Sequence, residues 1–251
     1  MKFLALLFLA VTSVSGFALS DRELDSIGRR VWQNECAGTR DGLTSWNAGE
    51  NFASLGIGHF IWYAQGARGP FEESFPQLVR FLAARGAKVP AWLEGACPWA
   101  TRAEFQAEFQ GEKMRALREL LAGTVHLQAQ FLAQRMEAAL PKMLAEAPAA
   151  ERGNVRAQFE RLAATGAGTF ALIDYVNFKG EGTKAGERYR GEGWGLLQVL
   201  AGMRGRGAGA AREFGESAAV VLARRVRNAP PERHEERWLA GWKSRVRAYG
   251  E

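Results

Sequence analysis

The chain has 251 residues, of which 47% are hydrophobic and 24% charged, and it carries a net charge of +6. That length builds one globular domain or two compact lobes, and the balance is that of an ordinary soluble protein. The positive charge is spread along the sequence with no nucleic-acid-binding motif, and the two cysteines and three histidines lack metal-ligand spacing. Neither a nucleic-acid partner nor a metal or other cofactor is expected.

The first twenty residues read as a secretory signal peptide. Lys2 supplies the positive start, Phe3 to Val11 is a short apolar run, and Ser13, Ser15, Gly16, Ala18 and Ser20 offer small residues for cleavage. The run is too short for a stable anchor. The mature chain is expected to begin between Phe17 and Asp21, to be periplasmic or secreted, and to keep no transmembrane anchor. A basic exported protein is drawn to anionic cell walls by long-range attraction.

Ser20-Asp21-Arg22-Glu23 is a capping box and opens a helix whose apolar positions Leu24, Ile27, Val31 and Trp32 follow helical spacing. Glu35 continues the stripe four residues after Val31. An acid in phase with an apolar face is partly desolvated, which raises its pKa and suits it to act as a general acid. Gly38 to Trp62 reads as a β-hairpin with turns, and it is the only β region expected. Phe71–Arg85 is predicted helical, and Thr101-Arg102-Ala103-Glu104 is a second capping box, opening a helix through Phe105, Phe109, Leu117 and Leu120. Further amphipathic helices are predicted at His126–Leu140, Val155–Leu162, Thr169–Phe178, Ala211–Val226 and Glu232–Tyr249, punctuated by Gly123, Pro141, Pro148 and Pro230-Pro231. The fold class is mainly α (α+β), with one small β-hairpin lobe.

Nineteen residues beyond Glu35 lies Ser54-Leu55-Gly56-Ile57-Gly58-His59. With the intervening polar, turn-rich segment, this resembles the lysozyme-like superfamily over about Arg29 to Trp62. It is similar to phage-type lysozymes, where a Thr-Ile-Gly-x-Gly-His-like strand follows the catalytic Glu, and to chitosanases with their Gly-Ile-x-Gly-Phe strand. The resemblance implies a lysozyme-like domain over 21–251, with the catalytic helix and hairpin in 21–64 and a helical lobe in 65–251. It implies a monomeric glycosidase acting on β-1,4-linked amino-sugar polymer, with peptidoglycan the favoured substrate.

Glycoside hydrolysis needs one carboxylic acid to protonate the leaving oxygen and usually a second carboxylate. Glu35 takes the first role. For the second, Asp41 and Glu50 are candidates. The phage-lysozyme position holds Ala48 instead of Asp, and the chitosanase-like spacing favours Glu50. Ser54 matches the hydroxyl that helps hold the attacking water, and His59 is expected to be a hydrogen-bonded structural residue at the site. Gly56 and Gly58 are expected to let the strand bend or approach substrate. Trp46 and Asn47 join the substrate-binding set, as do Tyr175, Asn177 and Trp194 in the glycine-flanked segment 174–198. There, Gly193-Trp194-Gly195-Leu196-Leu197-Gln198 is faintly similar to a Gly-Leu-Met-Gln segment of lytic transglycosylases. That chemistry, releasing an anhydro product with Glu35 alone, is one alternative, and a non-catalytic glycan- or protein-binding module is another. Most of the eight tryptophans are expected in the core. Cys36 and Cys97 either pair in an oxidising compartment or remain free and buried.

Overall fold

The computed structural model describes residues 19–69 and 71–251. The signal peptide read at 1–20 therefore lies, apart from its last two residues, outside the described residues. The capping box at Ser20 forms: Glu23 N–H donates to Ser20 Oγ at 3.3 Å, and Ser20 N–H donates to the Glu23 carboxylate at 2.9 Å. It starts helix α1, Asp21–Cys36, which buries Leu24, Ile27 and Val31 and ends where Ala37 turns left-handed at φ 51°.

Strands β1 (Thr44–Ser45), β2 (Phe52–Leu55) and β3 (Phe60–Tyr63) form an antiparallel sheet in that order, with Ser54 opposite Ile61 and Leu55 opposite Phe60. Under it Trp62 packs against Phe75, Trp92 and Trp99 with ring centroids 4.8–6.4 Å apart, and Trp46 packs against Phe105. Helix α2 (Phe75–Ala84) lies within the expected span. The helix expected from Thr101 is two, α3 (Arg102–Ala107) and α4 (Glu112–Gly123). Thr101 Oγ1 caps Glu104 N–H, but the Glu104 carboxylate accepts from Ala100 N–H, so the second half of the box is displaced by one residue.

Helix α5, Val125–Glu146, runs through Pro141, which was expected to end it. A proline removes one helical hydrogen bond, and the burial of Met136, Ala139, Leu140 and Met143 around it carries the helix past that loss. Helices α6 (Arg152–Ala163), α7 (Gly166–Lys179), α8 (Leu196–Gly202), α9 (Ala210–Asn228) and α10 (Glu236–Arg247) complete the fold. A second small hairpin, β4 (Arg188–Tyr189) and β5 (Glu192–Gly193), precedes α8 and was not anticipated. The chain is mainly helical with small antiparallel sheets. Helix α1 packs along α5 and α7, and α9 pairs with α10. One continuous core runs from Leu24 to Tyr249. Among the described residues, no helix is long and apolar enough to cross a membrane.

Candidate functional site

Glu35 sits in the last turn of α1, its side chain 12% exposed. Facing it is His59, the last residue of the β2–β3 turn, with Nδ1 3.6 Å from Glu35 Oε2. The turn is pinned on three sides. Gly56 N–H donates to the Leu43 carbonyl at 2.8 Å, Ile57 N–H donates to Gln128 Oε1 of α5 at 3.0 Å, and the Cys36 thiol donates to the Gly56 carbonyl at 3.7 Å. Gly56 has φ +70°, and a side chain there would press on Gln128. The glycine thus allows close packing of the turn against α5.

Two further elements converge on the acid. Arg245 of α10 makes an ion pair with Glu35 through Nη2 and also bonds Asp174 of α7, with Nε and Nη2 each 2.8 Å from its oxygens. Asp174 has no exposed side-chain surface, and it also accepts from Asn34 Nδ2 at 3.0 Å and the Tyr249 hydroxyl at 2.6 Å. Four donor hydrogen bonds satisfy both oxygens, the condition on which a carboxylate is tolerated inside a protein. Burial alone would lower the Arg245 guanidinium, but the hydrogen bonds and charges of Asp174 and Glu35 outweigh it and hold the group above its ordinary range. Burial, then the Asp174 charge, pushes the Tyr249 hydroxyl well up. The result is a fixed, charged scaffold that locks Glu35 in place.

The following turn of α7 extends the site. Arg245 lies over the Phe178 ring at 4.4 Å, and Lys179 Nζ lies 3.9 Å from that ring's centroid and 3.3 Å from Trp242. Burial, reinforced by the Arg225 and Arg245 charges and opposed by Glu235, lowers Lys179 to about 7. Glu235 itself is paired with Arg225 and accepts from the Tyr189 hydroxyl at 3.0 Å. Asn177 shares the Asp174 face of α7, three residues on, and its Nδ2 is buried without a hydrogen-bond partner.

The other residues predicted for the site are placed as follows. Glu50 ends the turn between β1 and β2 and accepts from Asn47 Nδ2 at 3.1 Å, so these two touch each other. Asp41 is exposed and pairs with Arg118 at 3.1 Å. Ser54 is buried in the central strand. Three predicted sugar-contacting residues are packed into the interior. Tyr175 is fully buried and donates to the Trp194 carbonyl at 2.8 Å, Trp194 lies beneath Tyr189 and Arg225, and Trp46 is in the core with Nε1 on the Glu50 carbonyl. Segment 180–198 is a self-bonded connection: Leu196 and Leu197 N–H donate to the Gly180 and Glu181 carbonyls, both at 3.0 Å, and Gly195 packs so closely on Gly182 that no side chain fits. That geometry turns Tyr175 and Trp194 into braces.

Cys36 and Cys97 are both free and buried, so the disulfide considered from sequence is not formed. Each thiol is instead directed to a different backbone carbonyl, that of Gly56 or Trp99. Burial, with the Glu35 charge added, pushes Cys36 up to about 12, and burial pushes Cys97 up to about 11. Among the described residues, no group of three or more metal-ligating side chains gathers.

Sequence reasoning missed Asp174, Arg245, Tyr249 and Asn34 as a unit. Arg245 lies 210 residues from Glu35, and no local pattern connects them. Asp174 did leave a signal, as a lone charge within the otherwise uncharged Gly166–Phe178 stretch of α7. No protein-family model, no curated protein and no solved structure matches the chain.

Proposed function

We propose that this chain is an exported glycosidase that cleaves a β-1,4-linked amino-sugar polymer, peptidoglycan being the favoured substrate, with Glu35 as the proton donor to the glycosidic oxygen. The observation that carries this reading is the setting of Glu35: a carboxyl at a helix end, mostly removed from solvent, beside His59 of a β-turn and held by Arg245 against a buried Asp174. Acid catalysis demands a carboxyl fixed to within a fraction of an ångström of the scissile oxygen, and a bonded scaffold from α1, α7 and α10 supplies that rigidity. Glu50, near the sheet and only half-buried, is retained as the second carboxylate of this proposal. Export rests on the composition of residues 1–20.

The test is the rate at which purified cell walls lose turbidity. Glu35→Gln keeps the shape and the hydrogen-bond capacity but removes the transferable proton. General acid catalysis is worth about 100- to 10,000-fold, so the variant should fold normally and lose lysis by that factor. A Glu35→Gln protein that clears walls at the wild-type rate refutes the assignment.

A further inference from the structure

One face of α10 leads from the surface of the protein to the acid. Trp238, Trp242 and Arg245 stand at i, i+4 and i+7, the spacing of a single helical stripe. Their exposure falls along it. Trp238 is 52% exposed, Trp242 packs on the edge of the core, and Arg245 is largely covered and paired with Glu35. At about 1.5 Å per residue, Trp238 lies roughly 10 Å along the helix from Arg245.

The outer end of this stripe runs past the end of α1. Arg30 bonds the Ala248 carbonyl and Glu35 bonds Arg245, so α1 and α10 run in opposite directions. Helix α1 stops at Cys36, one residue beyond the acid, whereas α10 reaches nine residues beyond Arg245, to Glu236. Gly241 lies beside the stripe between Trp238 and Arg245, and a side chain there would meet no atom within 4 Å. Glycine is a poor helix former in a helix interior, so this opening is kept at a cost to the helix. The Arg237 guanidinium sits 5.1 Å from the Trp238 ring centroid and braces the ring. Neither the indole N–H nor that guanidinium has an acceptor among the described residues. A lone exposed apolar side chain is ordinary. An exposed ring that continues the face holding the acid, with idle donors beside it and open space between, has the makings of a binding surface.

We propose that Trp238 is a stacking platform for a pyranose ring of the glycan, more than one ring away from the bond that Glu35 protonates. The inference rests on the glycan-cleaving reading and adds to it a requirement for length, because a short fragment cannot engage the acid and the platform together. A pyranose ring has apolar C–H faces and a rim of hydroxyls. The indole face covers the first, and the idle N–H groups of Trp238 and Arg237 meet the second. This contact is as strong in the ground state as in the transition state. It therefore lowers KM for long glycans and leaves kcat unchanged.

The experiment reads binding apart from cleavage by using the Glu35→Gln chain, which leaves the glycan intact. It is titrated with β-1,4-linked N-acetylglucosamine oligomers of two and six rings and followed by NMR at the indole N–H signals, that of Trp238 being the one lost in Trp238→Ala. The six-ring oligomer should shift this signal. Trp238→Ala should weaken its binding about tenfold, the scale of one ring face taken from water. Gly241→Leu fills the opening while favouring the helix, so it should weaken six-ring binding to a similar degree in a chain that folds at least as well. Two-ring binding, centred on the acid, should change in neither variant. A Trp238 signal that the six-ring oligomer does not move, six-ring binding that survives either substitution, or an equal loss for the two-ring oligomer overturns the proposal. A chain that binds the six-ring oligomer across Trp238 but cleaves no wall glycan keeps the platform and removes the glycosidase reading. Wall cleavage with KM and kcat unchanged in Trp238→Ala does the reverse.

Discussion

Replacing Asp174 by Asn tests the scaffold behind Glu35 without touching the acid. Four donor hydrogen bonds converge on two oxygens: Oδ1 accepts from Arg245 Nη2 and Asn34, and Oδ2 from Arg245 Nε and the Tyr249 hydroxyl. An amide therefore has no good orientation, since its NH2 group meets two donors whichever way it turns. The substitution also leaves Arg245 with Glu35 as its only carboxylate partner. Removing one member of a buried pair costs about 3–5 kcal/mol. With a urea slope of about 2–3 kcal/mol per molar for a chain of this size, the midpoint should fall by roughly 1–2.5 M. Tyr249→Phe alone removes one charge-linked hydrogen bond, a loss of about 1.5–3 kcal/mol, and most of that loss should vanish in the Asp174→Asn background. Urea titration followed by circular dichroism and tryptophan fluorescence measures both. A loss under about 1 kcal/mol for Asp174→Asn, or full additivity with Tyr249→Phe, contradicts the scaffold.

Gln128→Leu removes the side chain that anchors the β2–β3 turn through Ile57 N–H, leaving a buried donor unpaired. It should cost about 1–3 kcal/mol and shift the His59 ring resonances, whereas an unchanged His59 environment would detach Gln128 from the site. Because burial holds both thiols high, Cys36 and Cys97 should label slowly in the native protein at pH 8 and should both label on unfolding without reductant. Recovery of a bridged species from unreduced protein contradicts this. Lys179 has a folded pKa of about 7, below its unfolded value, so the fold disfavours its charge and this cost is complete below pH 7. The cost is relieved as pH rises from 7 toward 10.5, so its contribution to stability grows with pH there. Lys179→Met should therefore raise the melting temperature more at pH 6 than at pH 9, with the lost ring contacts trimming the gain. An equal effect at both pH values rejects the depressed lysine.

Much of the helical framework was legible because amphipathic stripes and caps are local. The Ser20 box fixed the start of α1, and the Leu24, Ile27 and Val31 spacing carried it to Glu35. Pro141 misled because the proline penalty is local while the packing that overrides it is tertiary. The aromatic segment around Tyr175 and Trp194 misled for a related reason. Polar aromatics flanked by glycine suit a sugar wall, but they suit a self-bonded connection equally well, and only the Trp194 carbonyl on Tyr175 distinguishes the two. Arg245 was invisible beforehand, since one arginine among 33 basic residues carries no mark of its distant partner.

The most direct test of the account is mass spectrometry of the soluble fragments released from purified peptidoglycan in water enriched in ¹⁸O. The account predicts muropeptides with reducing ends carrying one ¹⁸O at the cleaved anomeric carbon, formed by wild type and by neither Glu35→Gln nor Glu50→Gln at a comparable rate. Anhydro ends without ¹⁸O, with Glu50→Gln fully active, would replace hydrolysis by the transglycosylase chemistry that needs Glu35 alone. Intact glycan strands after digestion with wild type would contradict the central claim, leaving the Glu35 scaffold as a feature of the fold without catalytic use.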